Sequence, residues 1–158
     1  MFSKLLTKKK KNKKKDSYII IAGCGRLGAN LANTLSALGE NVIIIDQNQG
    51  SFRKLAPSFG GITMTGDATE IAVLDNAGIK KATAVISLTN KDNTNIMVAQ
   101  LAKKMFNIEQ VIARLYDPEC ECVYREFGIE TICPAVLSMQ EIDKLLTTIP
   151  LASMEDEE

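Results

Sequence analysis

The sequence predicts an α/β fold: a doubly wound parallel sheet of about six strands with helices on both faces. Three observations carry this expectation. Strand-length apolar runs alternate with helical segments across short connections. The first run, Tyr18-Ile19-Ile20-Ile21-Ala22, is apolar without a break, as a strand buried on both faces requires. A G-x-G-x-x-G loop, Gly23 to Gly28, follows that run directly and opens a helix. The topology rules for such a chain give the strand order 3-2-1-4-5-6.

Each later element has its own signal. From the loop a helix extends to about Leu38, with Leu27, Leu31, Leu35 and Leu38 at helical spacing, and Gly39 ends it. Val42 to Ile45 is the second strand and closes at Asp46. A helix around 50–56 stops before Pro57, since the residue preceding a proline is pushed out of helical geometry. Ile62-Thr63-Met64 is a short third strand. The turn Gly66-Asp67-Ala68-Thr69 follows, then a helix from about Glu70 to Asn76. Ala84 to Leu88 is the fourth strand. Asp92 to Lys104 is a helix with Ile96, Ala99 and Leu101 among its apolar positions. Val111 to Leu115 is the fifth strand. Pro118 opens a helix to about Phe127, and Glu130-Thr131-Ile132 is the sixth strand. Pro134 opens a last helix that ends before Pro150. Its Val136, Leu137, Met139, Ile142, Leu145 and Leu146 offer more apolar surface than one covering helix needs.

Composition narrows the function. Hydrophobic residues make up 46% of the 158, which suits one globular domain. That domain is expected at 17–150, between a basic arm at 1–16, read as disordered, and an acidic tail at 151–158. No apolar run approaches the roughly 20 residues of a membrane span. The start, Met1 to Leu6, is too short and too quickly basic for a signal peptide. The zero net charge hides an asymmetry. Eight lysines lie within 1–15, so the rest holds 11 basic against 19 acidic residues, about −8. Nucleic acid is a poor partner for so acidic a domain. The four cysteines are Cys24, Cys120, Cys122 and Cys133. The C-x-C pair lacks zinc-site spacing and has no second pair, so no metal site is expected. Reduced thiols and a cytoplasmic location are expected.

The loop and one acid carry the chemistry. Gly23 permits the tight turn, Gly25 lets backbone approach a pyrophosphate, and Gly28 lets the helix pack on the strand. The helix N-terminus then offers free N–H groups to phosphate. Asp46, 18 residues beyond Gly28, can accept hydrogen bonds from both ribose hydroxyls and would repel a 2′-phosphate. This is the Rossmann fingerprint. It points to an adenine nucleotide (NAD, NADH, ATP, ADP or AMP) over NADP. Arg26 is either a second phosphate ligand or an exposed helix-start arginine. Cys24 is either a small residue that fits the loop or a redox-sensing thiol activated by the helix N-terminus.

With the turn at 66–69, the segment Thr89-Asn90-Lys91-Asp92-Asn93-Thr94-Asn95 and Ile112-Ala113-Arg114, the chain resembles the RCK/KTN (TrkA-N) family over about residues 17–148. These are cytosolic nucleotide-binding regulators of potassium channels and transporters. The resemblance implies a nucleotide site built from Gly23, Cys24, Gly25, Arg26, Leu27, Gly28, Asp46, Asp67, Ala68, Thr89, Asn90 and Arg114. Asp67 and Ala68 would border the adenine, Thr89 and Asn90 the ribose and phosphates. Arg114 would point a cation toward the phosphates or a subunit contact. The blander readings are helix capping for Asp67 and for 92–95, and an ion pair for Arg114. A potassium channel or transporter subunit is the implied partner, with a homodimer or higher oligomer formed through the last helix. Family members often carry a second lobe, and none follows residue 158 here, so a separate partner subunit is expected.

No enzyme is expected. Histidine is absent, and neither Tyr18, Tyr116 nor Tyr124 has a lysine four residues on. The alternatives are a small NAD-dependent oxidoreductase and a free-standing nucleotide or redox sensor. The lysine run Lys8–Lys15 is read as a solvated tail, as a contact for anionic lipid at the inner membrane face, or as a nucleic-acid arm.

Overall fold

Strands β1 (Tyr18–Ala22), β2 (Asn41–Asp46), β3 (Ile62–Thr65), β4 (Ala84–Ser87), β5 (Gln110–Arg114) and β6 (Glu130–Ile132) form one sheet. Their order is β3-β2-β1-β4-β5-β6, and every pair is parallel. The structure is a computed structural model and describes residues 17–147. The arm at 1–16, with the reading of Lys8–Lys15 as a membrane contact, and the tail at 151–158 lie outside those residues.

The uninterrupted apolar strands are buried from both sides, as their composition requires. Ile20, Ile43, Ile45, Val85 and Val111 face one layer with Leu74, Val98 and Ala99. Ile21, Val42, Ile44 and Ile86 face the other with Ala29 and Ala32. Each buried Ile, Leu or Val among them contributes about 1.5–3 kcal/mol by leaving water. The covering helices are α1 (Arg26–Ala37), α2 (Ile71–Asn76) and α3 (Asp92–Gln100). The last of these runs on as a wider turn over Leu101–Met105. Helix α4 (Glu121–Glu126) precedes β6, and α5 (Pro134–Thr147) follows it. Among the described residues no helix is long and apolar enough to cross a membrane.

Three elements depart from expectation. Helix α1 buries Gly28, Ala29 and Ala32, while Leu27 and Leu38 are exposed. Small residues let the helix axis approach the sheet, so the leucine row falls on its flank. The segment expected as a helix at 50–56 is a 3-10 turn, Gln49–Lys54, capped by the Asn48 side chain on the Gly50 amide at 2.9 Å. With Gly50 inside it and Pro57 close behind, too few residues remain to nucleate an α-helix. Helix α5 does not lie on the sheet. Its Leu137, Met139, Ile142, Leu145 and Leu146 are all more than half exposed.

Candidate functional site

Side chains that matter for a ligand stand at the carboxyl ends of the strands, where open parallel sheets bind them. Two adjoining depressions share Gly23, Asp46, Thr89 and Asn90. One extends over β2 and β3 to Asp67 and Ala68. The other extends over the glycine loop to Gly25 and Arg114. Eight of the twelve expected residues therefore line one cleft.

The three loop glycines are there for three different reasons. Gly23 has φ +105°, and a Cβ on it would lie 2.8 Å from the Thr89 nitrogen. At Gly28 a Cβ would lie 1.9 Å from the Gly23 carbonyl oxygen, so α1 and the loop touch backbone to backbone. Gly25 differs. Its φ of −74° suits any residue, and a Cβ there would meet nothing within 4 Å. Neither strain nor packing demands glycine at that point, and the space over it is what a side chain would fill. No side chain caps α1 and its first turn holds no acid, so the first amides stay free for an anion.

Asp46 locks the loop to the end of β2. One carboxylate oxygen accepts from the Cys24 amide at 2.7 Å and the other from the Asn48 amide at 2.8 Å. Each oxygen keeps a further lone pair, so a ribose diol meets an acceptor already oriented. Asp67 accepts from the Thr69 hydroxyl at 2.6 Å and the Thr69 amide at 2.8 Å. Those bonds hold its carboxyl below its ordinary value, with burial opposing and Gln47 and Lys91 assisting. It both caps its own turn and lines the cleft.

Arg114 reaches the cleft from β5, stacked on Tyr116 at 4.4 Å from the ring centroid. No carboxylate pairs with it among the described residues, and its buried Nε has no hydrogen-bond partner. The ion-pair reading therefore finds no support here. Asp92 does not cap its own helix: its carboxylate accepts from the Tyr116 amide at 2.9 Å and the Asp117 amide at 3.2 Å, tying the start of α3 to the chain after β5.

Four expected residues do not line the cleft. Gly28 acts through packing. Arg26 and Leu27 are exposed on the first turn of α1. Cys24 is buried among Ala29, Ala32 and Ile44, with its thiol toward the Ser51 carbonyl at 3.4 Å. Burial, and next the Asp46 carboxylate, push its thiol pKa up. The redox-sensor reading needed an accessible thiol of lowered pKa, and Cys24 is fully buried with its pKa raised, so the packing reading fits it. Gln47, Ser51, Lys91 and Thr94 also line the cleft, and sequence reasoning did not assign them to the site. Gln47 directly follows β2 and could have been found on that ground. Ser51 gave no signal, because it comes from the turn misread as a helix. Among the described residues no group of three or more His, Cys, Asp or Glu side chains could hold a metal ion.

The family profile described as the TrkA-N domain matches residues 19–134. The chain belongs to the TrkA-N domain family. Among its relatives is the Trk system potassium uptake protein TrkA of Streptomyces coelicolor, 44% identical over 115 residues. That match covers 73% of this chain and 52% of the relative. The chain thus spans about half the length of the curated relatives it matches. Among solved structures, the GsuK RCK domain superposes with a TM-score of 0.73 at 26% identity, covering 86% of this chain and 29% of that one. The Kef CTD of Shewanella denitrificans, in AMP-bound form, superposes with a TM-score of 0.66 at 23% identity, covering 83% and 81%. At that identity the second likeness shows the fold alone.

Proposed function

We propose that this TrkA-N domain binds an adenine nucleotide and acts as the regulatory, non-catalytic part of a potassium transport system at the cytoplasmic face of the membrane. The observation that carries the binding reading is Gly25: an unstrained, uncrowded glycine whose open face adjoins Asp46 and the uncapped start of α1. The Asp46 carboxylate takes the ribose, the α1 amides take the phosphates, and Asp67 with Ala68 borders the base. The relatives are potassium uptake proteins, which supports the transport half of the reading. The same relatives, named as potassium uptake proteins, support binding without turnover.

The regulatory step is a population shift. A nucleotide spanning β3 to β5 favours one geometry of the cleft, and its effect equals its differential affinity for the two states. The exposed apolar face of α5 pairs with a second copy and carries that geometry to the membrane partner. Calorimetric titration with NAD, NADH, ATP, ADP, AMP and NADPH tests the core of this. Binding of one or more of the first five, weakened at least tenfold in Asp46→Ala and absent for NADPH, is the expected result. A folded protein that binds none of them overturns it.

A further inference from the structure

We infer that Asn95, a buried side chain outside the cleft lining, is the positioning residue that sets the distance between the glycine loop and the β5 wall of the nucleotide site. This rests on the nucleotide-binding reading above. Asn95 lies in α3 and is fully buried. Its amide uses its whole hydrogen-bonding capacity. Oδ1 accepts from the Thr89 amide at 2.8 Å and the Thr89 hydroxyl at 2.7 Å. Nδ2 donates to the Thr89 carbonyl at 3.1 Å and the Arg114 carbonyl at 3.0 Å.

Every one of those side-chain partners belongs to a residue that lines the cleft. Thr89 in turn abuts Gly23, where a Cβ would come within 2.8 Å of the Thr89 nitrogen. One side chain therefore fixes the lip after β4 against the glycine loop on one side and the end of β5 on the other. A helix residue that merely filled the core would be apolar, like its neighbours Val98 and Ala99. Because the Thr89 hydroxyl and amide are both held by Asn95, Thr89 shapes the cleft through its position more than through bonds of its own.

The Asn95→Asp variant tests this, because a carboxyl reproduces the clamp only when protonated. The neutral acid accepts from Thr89 and donates one bond to a carbonyl. The charged form faces the Thr89 and Arg114 carbonyls with acceptors only. Groups bonded to Asn95 come from β4 and its loop (Ser87, Thr89, Lys91) and from β5 (Arg114), and of these Lys91 and Arg114 are charged. ADP affinity of the whole chain is measured from pH 5.5 to 8.5, below the melting temperature of each protein, as the ratio of variant to wild type. The expected ratio is about tenfold weaker at pH 8.5, recovering toward one as pH falls. A ratio of one throughout, with only a lowered melting temperature, assigns Asn95 to fold stability and overturns the inference. So does a loss that ignores pH. If Asn95→Asp does not fold at any pH, Asn95→Ser decides: weaker ADP binding supports the clamp, and wild-type affinity overturns it. Wild-type protein that binds no nucleotide removes the nucleotide reading itself, a result distinct from a failed variant.

Discussion

Gly25 and Gly28 stand three residues apart, and substitution separates their roles. A methyl at Gly28 would meet the Gly23 carbonyl at 1.9 Å, so backbone must move. Gly28→Ala is expected to destabilise the fold by several kcal/mol, seen as a lowered urea midpoint. Gly25→Ala meets no atom within 4 Å and needs no unusual φ. It is expected to cost about 1 kcal/mol or less while nucleotide affinity drops at least tenfold. Equal loss of stability in both variants would refute the assignment of Gly25 to the ligand. Asp67 supplies a pH dependence. The Thr69 hydroxyl and amide depress its folded pKa. Its contribution is therefore present above the unfolded value, about pH 4, and is lost as pH falls through the folded value. The stability difference between wild type and Asp67→Asn, from urea unfolding, should be larger at pH 7 than at pH 3. The thiols differ too: Cys122 is exposed and Cys24 buried with a raised pKa. Alkylation at pH 8 should modify Cys122 in native protein and Cys24 only on unfolding.

At the scale of elements, what the sequence reveals depends on what encodes it. The strands were legible because burial on both faces demands unbroken apolar runs, as in Ile43-Ile44-Ile45. Asp46 and the glycine loop were legible because their spacing is tied to a strand, a turn and a helix in succession. Asn95 was not, since a polar residue in the first turns of a helix reads as a cap, and only the fold brings Thr89 and Arg114 to it. Nor could apolar content reveal which surface α5 uses. Counting Leu137, Met139, Ile142, Leu145 and Leu146 gives an apolar face but no address. The structure leaves these side chains more than half exposed and so gives the count a physical meaning. If a second copy covers them, Ile142→Glu combined with Leu145→Glu should convert the protein to monomers in sedimentation. The sheet should be unaffected, because neither side chain belongs to either core layer. An unchanged sedimentation profile would mean that α5 is covered by something else.

For the molecule as a whole, the sheet order makes one ligand touch structure distant in sequence. Asp67 and Ala68 follow β3, Asp46 ends β2, the loop follows β1, Thr89 follows β4, and Arg114 ends β5. A nucleotide lying across these ends links two halves of the sheet that meet at the β1–β4 pairing at its centre. It therefore binds the complete fold and not either half, and binding must stabilise the whole cooperative unit. At free ADP of 100 times its dissociation constant, linkage adds about 2.7 kcal/mol. For a domain of this size that is a rise in melting temperature on the order of 5–10 °C. The shift should grow with the logarithm of ADP concentration and be nearly abolished in Asp46→Ala at the same concentrations. Hydrogen exchange distinguishes whole-sheet linkage from a local effect. Amides of β2 and β5, on opposite sides of the β1–β4 pair, should gain protection together on adding ADP. Protection confined to the glycine loop would mean that the ligand orders its own site without joining the two halves, and the proposed switch would lose the element it acts on.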